Sequence, residues 1–347
     1  MFSTKGNTLK KLLAAIATAA LVTTTLVTGT VAPASAATKL KIAHIPKLGT
    51  IGYFQAADKG VQRACKEIGA TCAYKGPTEI TAAAQVKEIN AAVQSGYNVI
   101  ILAANDKDAL VPALKAAQKK GVTVVTYDSD VAQPGRSVFI NQASSQGIGQ
   151  ALAASANNLA GGEGEVAILS TTPDATNQNV WIDFMNKEIA AKYPKLKVVA
   201  TAYGLDKPEE STTETQGLIQ KYPKIKAIVA PTSVGIVAAA KYVSGSAAKG
   251  KVAVTGLGLP NDMKTYIKDG SNAQASLWDV ENFGYVAVYV AKHVRDGGDV
   301  AVGAKVPSGP GDKGDAERTV TAGAVGNEII LGPATVFTKD NVDQFDF

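Results

Sequence analysis

Short runs of aliphatic residues alternate along the chain with longer stretches whose apolar positions recur every three or four residues. The short runs fall at Lys39–Pro46, Thr71–Tyr74, Asn98–Ala104, Val122–Asp128 and Ser137–Asn141. A second series falls at Glu165–Thr171, Leu196–Gly204, Ala227–Pro231, Lys251–Gly256 and Ala273–Asp279. Most are continuous Val, Ile, Leu and Ala, as in parallel strands buried on both faces. Between them, QVKEINAAVQ (85–94) and ALVPALKAAQK (109–119) carry helical spacing. Such alternation predicts an α/β fold with parallel sheets and right-handed crossovers. So many strands exceed one open sheet of ordinary width. The series therefore divides after Asn141, giving two doubly wound parallel-sheet lobes joined by a multi-strand hinge, with a ligand cleft between them. The expected boundaries are 38–142 plus 274–325 for the N-terminal lobe and 143–273 plus 326–347 for the C-terminal lobe. Residues 300–327, rich in Gly, Pro and Asp, read as surface loop before short final strands.

The first 36 residues stand outside this pattern. Lys5, Lys10 and Lys11 precede an apolar run from Leu12 to Ala32, and Ala34-Ser35-Ala36 follows. That is the order of a secretory signal peptide with a small-residue cleavage site, placing the mature start near Ala37. Six threonines in the run weaken the competing reading as a membrane anchor. Removing 1–36 leaves 32 basic against 30 acidic residues, a net charge of +2. No basic patch argues for nucleic acid as a partner. Export makes a disulfide possible between the only two cysteines, Cys65 and Cys72. The alternative is a pair of small buried hydrophobes. His44 and His293 are the only histidines and have no ligand-spaced neighbours, so no metal site is expected. Nothing implies a cofactor.

In open α/β sheets, ligands bind beyond the carboxyl ends of the strands. That rule selects Lys47 with the following rings Tyr53 and Phe54, then Asn105, then Tyr127 and Asp128 in TYDSD, then Asn141. In the second series it selects Asn177 and Gln178 in TNQNVW, Pro231 and Ser233 in APTSVG, and Trp278-Asp279 in LWD. Carboxylates accept hydrogen bonds from vicinal hydroxyls, amides both donate and accept, and aromatic faces cover the C–H face of a small ring. The set is the inventory for a neutral polyol, although any single Asp or Asn at a strand end also serves as a turn or cap residue. After residue 36 there are only four arginines, Arg63, Arg136, Arg295 and Arg318, none at a strand tip. Carboxylates and phosphates are usually held by an arginine fork. Its absence favours an uncharged ligand.

Catalytic patterns are weak. Gly256-x-Gly258 follows a strand, but Pro260 and Asn261 break the nucleotide fingerprint. No nucleophile elbow follows a strand. Asp128 with Asp279 could form a glycosidase pair, which keeps a secreted glycosidase as a remote alternative. A ligand-sensing repressor would need a helix-turn-helix where the signal segment lies.

The tip sequences resemble the type I periplasmic solute-binding proteins of ABC importers, over essentially the whole chain after the signal segment. IPKLGTIGYF, YKGPTE, TYDSD, INQ, LWD and KDNVDQFDF are similar to the autoinducer-2-binding branch. AANDKDALVPALKAA, AILSTTPDATNQNVWID, IVAPTSVG and VTGLGLP are similar to the rhamnose-binding branch. The resemblance implies a non-enzymatic, exported monomer, periplasmic or on the outer face of the cell membrane. It would capture autoinducer-2 or a similar small cyclic polyol between its lobes and deliver it to a membrane permease; the alternative guest is rhamnose. The autoinducer-2 receptors use a lysine, two aspartates, a glutamine, and a proline and an alanine two apart. These map to Lys47, Asp128, Gln178 and Pro231, while Asn177 stands at the second aspartate and Ser233 at the alanine.

Overall fold

The structure is a computed structural model that describes residues 39–314 and 316–347. The signal segment expected at 1–36 lies outside the described residues. The first half runs β1 (Lys41–Ile45), α1 (Gly52–Glu67), β2 (Thr71–Tyr74), α2 (Ala82–Gln94), β3 (Val99–Leu102), α3 (Val111–Lys119), β4 (Thr123–Tyr127) and β5 (Phe139–Asn141). It continues with α4 (Ser145–Ala160), β6 (Gly164–Ser170), α5 (Thr176–Lys192), β7 (Leu196–Tyr203), α6 (Pro208–Lys221), β8 (Ile225–Ala230), α7 (Ser233–Ser244), β9 (Ala253–Gly256) and α8 (Pro260–Lys268). It closes with β10 (Ala275–Leu277), α9 (Val280–Arg295), β11 (Lys305–Pro307), β12 (Glu317–Gly323), β13 (Gly326–Ile330), β14 (Thr335–Phe337) and a 3-10 turn at Val342–Gln344.

The larger sheet has the order β2-β1-β3-β4-β5-β13-β12-β11, parallel from β2 to β13 and antiparallel beyond. The smaller has the order β7-β6-β8-β9, all parallel. A bridge from Leu257 to Ser276 extends it to β10, which pairs antiparallel with β14. Both sheets start their winding at the second strand of the row, so each has a switch point where loops part and a ligand can enter.

The continuous apolar strands are explained by double-sided burial. Ile42, Val99, Ile101 and Val125 face the cluster under α1 and α9, whereas Ala43, Ile45, Ile100 and Val124 face a second cluster under α2 and α3. Helix α1 lies directly on α9 because Gly60 and Gly284 lack side chains. A Cβ on either would run into the Glu281 or Ala57 carbonyl. Helix starts follow their caps: Thr81 accepts from Ala84 N, Ser144 from Gly147 N and Thr232 from Gly235 N. Cys65 of α1 and Cys72 of β2 are joined by a disulfide, Cα atoms 6.2 Å apart.

Two expectations are corrected. The stretch 300–327 is not all loop: β11, β12 and the start of β13 lie in it. Gly and Pro there mark strand edges, and β12 with its exposed alternate residues is an antiparallel edge ribbon. Second, the expected lobe limit at 325/326 separates β12 from β13, yet they form one hairpin, and β13 pairs with β5 in the larger sheet. Conversely β10, expected in the N-terminal lobe, extends the smaller sheet. The chain crosses between the sheets three times, at β5–α4, β10–α9 and β13–β14.

Candidate functional site

The carboxyl ends of β1 and β4 and those of β6, β7 and β8 face one another across a chamber with an empty volume of about 430 Å³. One end is polar. Lys47, just past β1, reaches across to the start of α5, where its Nζ donates to Asn177 Oδ1 at 2.8 Å. It also stands 3.8 Å from Asp128 Oδ2, and both side chains are almost wholly buried. Asn177 Nδ2 in turn donates to Asp128 Oδ2 at 3.3 Å. Gln178 is fixed by its oxygen, which accepts from Ser170 Oγ at 2.6 Å and Thr171 N at 3.0 Å. Its Nε2 donor has no protein partner among the described residues and belongs to a chamber-lining side chain.

A second carboxylate, Asp206, enters from the tip of β7 and accepts from Thr232 Oγ1 at 2.5 Å. Burial pushes its carboxyl up to about 6, outweighing the Thr232 bond and Lys47; the Asp128 charge pushes the same way. Burial also raises Asp128, against the pull of Lys47 and the bonds from Tyr53 and Asn177. The described chain has three non-glycine residues with positive φ, namely Asp128 (62°), Leu205 (56°) and Asp206 (49°). Both chamber carboxylates are thus held in the sparsely populated left-handed region, where strain tends to mark functional positions.

The opposite walls are apolar. Tyr53 and Phe54 sit in the first turn of α1, packed edge-on with centroids 5.0 Å apart. Trp278, at the end of β10, donates its Nε1 to Tyr53 OH at 2.8 Å, and Tyr53 OH donates to Asp128 Oδ1 at 3.0 Å. Burial and the Asp128 charge raise the Tyr53 phenol, keeping it a donor. Trp181 of α5 meets Trp278 edge-on at 6.1 Å. Ile51, Leu257 and Leu277 fill the remainder, with Pro231 and Ser233 at the start of α7.

Of the residues expected from the sequence, Lys47, Tyr53, Phe54, Asp128, Asn177, Gln178, Pro231, Ser233 and Trp278 all line this chamber. Four do not. Asp279 caps α9, accepting from Asn282 N at 2.8 Å, and its other oxygen pairs with Lys313 Nζ at 2.5 Å. It does not face Asp128, so the glycosidase pair is not formed. Asn105 holds the Lys47 loop from beneath, its Nδ2 donating to Lys47 O at 2.9 Å. Tyr127 is fully buried behind Phe54 and bonded to His44. Asn141 is turned to Glu328, donating to Oε2 at 3.0 Å. Each is the cap, brace or core use that a strand-end polar residue commonly has. Two strong chamber residues escaped the reading. Asp206 comes three residues after the end of β7, the same distance as Ser233 from β8, so the strand-tip rule itself would have named it. Trp181 is four residues after Asn177 and so shares its helix face. None of the four arginines lines the chamber; Arg136 is tied to Asp130 and Arg318 to Asp312.

Residues 42–299 match the model of the periplasmic binding protein domain. The chain belongs to the periplasmic binding protein family. A solved ABC-transporter solute-binding protein of Clostridium phytofermentas with bound L-rhamnose is 37% identical to this binding protein, with a TM-score of 0.86 over 88% of this chain and 98% of that one. The LsrB protein of Clostridium saccharobutylicum, solved with AI-2, is 29% identical, with a TM-score of 0.83 over 89% and 100%. A sugar ABC transporter protein of Actinomyces odontolyticus is 42% identical, with a TM-score of 0.70 over 89% and 98%. A curated relative, the D-ribose/D-allose-binding protein of Pseudomonas aeruginosa, is 26% identical over 202 residues, 55% of this chain and 61% of its own length. The architecture of this binding protein is accordingly the type I fold of its family. Among the described residues no helix is long and apolar enough to cross a membrane, and no group of three or more metal-binding side chains stands together.

Proposed function

We propose that this binding protein captures one small, uncharged, cyclic polyol bearing an apolar edge and hands it to the permease of a sugar ABC importer. One observation carries the reading. One buried and one half-buried carboxylate, both in left-handed backbone, and one lysine face a wall of two indoles and a phenyl ring in a single chamber. Clustered hydroxyls satisfy the carboxylates, Asn177, Gln178 and Lys47. A methyl group or bare ring face suits the aromatic end. The lack of an arginine in the lining disfavours an anion.

L-rhamnose, with five oxygens and a methyl group, fits this description. The 37% identical relative solved with it supports that guest, as do Asn177 and Ser233 in place of an aspartate and an alanine. The hydrated furanose of autoinducer-2 is the second reading. It is favoured by the Lys47–Asp128 pair and by the relative solved with that ligand. Titration calorimetry with both compounds, and with D-ribose and D-glucose as controls, tests the class and separates the guests. Binding of rhamnose alone fixes the sugar reading, and binding of the furanose alone fixes the second. Failure of every neutral polyol, with binding of a carboxylate or phosphate instead, overturns both.

A further inference from the structure

His44 is the least expected residue behind the chamber. It is completely buried on β1, three residues before Lys47, and touches no chamber surface. Its Nδ1 lies 2.9 Å from Asp58 Oδ1 on α1, and its Nε2 lies 2.6 Å from Tyr127 OH on β4. A carboxylate accepts only, so Nδ1–H donates to Asp58; in the neutral ring with that tautomer, Nε2 accepts from Tyr127. These bonds belong to a closed circuit. Asp58 is five residues after Tyr53 on the same helix. Tyr53 OH donates to Asp128 Oδ1 at 3.0 Å, and Asp128 is the next residue after Tyr127. The circuit therefore joins three chamber elements: the β1 tip with Lys47, the α1 turn with Tyr53 and Phe54, and the β4 tip with Asp128.

The β4 tip needs such a hold. Asp128 takes a φ of 62°, and Ser129 N turns back to Tyr127 O at 2.6 Å. A non-glycine residue keeps that conformation only when its surroundings over-determine it. The Tyr127 ring is clamped edge-on between Phe54 and Phe283, and its hydroxyl is buried. The His44 bond satisfies that hydroxyl and holds the ring from its far end.

We infer that His44 is a positioning residue: with Asp58 and Tyr127 it sets the place of Asp128 relative to Lys47 and Tyr53, and so sets affinity for the guest without touching it. The inference rests on the proposed chamber being the binding site.

The test is a double-mutant cycle with His44→Ala, Tyr127→Phe and the double variant, plus His44→Gln as the conservative variant. Calorimetry with L-rhamnose and the autoinducer-2 furanose gives Kd, read at least 15 °C below each variant's Tm so that only folded protein is compared. The expected result is a loss of tenfold or more for His44→Ala and a smaller loss for Tyr127→Phe. The double variant should be no weaker than His44→Ala, and His44→Gln should recover part of the loss. A lowered Tm with unchanged Kd, or losses that simply add, overturns the inference and makes His44 an ordinary core residue. Wild-type protein that binds neither guest contradicts the proposed function instead. In that case the crystal structure of His44→Ala decides separately: Asp128 leaving its left-handed conformation supports the inference, and an unmoved 127–129 segment refutes it.

Discussion

Lowering the pH from 7 to 5 is expected to strengthen the empty protein and weaken its grip on the guest, and Asp206 is the main reason. Its folded pKa of about 6 lies above the 3.8 of an ordinary aspartate because burial disfavours the charge. Between those two values the folded chain holds more proton than the unfolded chain. Stability contributed by this group is therefore present at low pH and lost as pH rises through about 6. Applied to these two values, linkage makes Asp206 worth about 1 kcal/mol more stability at pH 5 than at pH 7. For a chain of this size that is a Tm shift of roughly 2 °C. Binding responds in the opposite sense. The ionised fraction falls from about nine-tenths to about one-tenth, so affinity for a guest that donates hydroxyls to this carboxylate drops about tenfold. Other carboxylates shape the raw curves: Asp262 is pushed up by burial like Asp206, whereas Asp312 beside Arg318 and Asp269 bonded by Ser271 are held low and lose their contribution only below the ordinary carboxylate range, outside this window. The useful quantity is therefore the difference between wild type and Asp206→Asn, by scanning calorimetry without ligand and titration calorimetry with it. The variant should lose both responses except for the part owed to Asp128 and, for stability alone, Asp262, whose pKa values are shifted the same way. Identical pH profiles for variant and wild type would refute the assignment of Asp206 to the site and the role of burial in raising it.

Three further outcomes are expected. Lys47→Met leaves Asp128 without a counter-charge, where an unmatched buried charge costs roughly 3–5 kcal/mol; proton uptake by Asp128 moderates this, so binding is lost while the fold survives, as circular dichroism and calorimetry would show. Asp279→Ala removes a helix cap and an ion pair, not a ligand contact, so Tm falls with a cost of roughly 0.5–2 kcal/mol while Kd stays within twofold. Reduction of Cys65–Cys72, a short loop well away from the chamber, destabilises by about 2–3 kcal/mol and leaves Kd unchanged, measured as Tm and affinity with and without reductant.

The fold was readable because double-sided burial makes parallel strands continuous in sequence, and runs such as VIIL at β3 leave little room for another reading. The antiparallel ribbon β11–β12–β13 was not readable. Its exposed edge strands alternate and carry Gly and Pro, so they look like loop. The strand-tip rule found nine chamber residues but could not tell which side of the tip a side chain takes. Asp128 and Asp279 are both acidic residues just after a strand, and only the next element separates them. Asp279 is followed at once by α9 and caps it, whereas Asp128 is turned into the cleft by its left-handed φ. Tyr127 illustrates the same limit, because alternation along the strand sends it to the core when its neighbour Asp128 lines the chamber. His44 carried no signal at all, since its partners come from α1 and β4, 14 and 83 residues away.

Asn177 can now be explained by its neighbours rather than as a departure from a pattern. Its two ends do different work: Oδ1 accepts from Lys47, and Nδ2 donates to Asp128. An amide does both at once, whereas an ionised carboxylate can only accept. An aspartate would gain about 6 kcal/mol of attraction to Lys47 at 2.8 Å and incur about 5 kcal/mol of repulsion from Asp128 at 3.3 Å, taking an effective dielectric near 20. The Coulomb contributions nearly cancel, so the cost of burying a third carboxylate beside Asp128 and Asp206 decides. Asn177→Asp should therefore fold, with at least one carboxyl of the three keeping its proton near neutral pH. Its stability relative to wild type should recover as pH is lowered from 7.5 to 5.5. If residue 177 also sets guest choice, the ratio of Kd values for rhamnose and the autoinducer-2 furanose shifts toward the furanose by threefold or more. An unchanged ratio would mean that discrimination lies elsewhere in the lining, with Ser233 and Trp181 the next positions to vary.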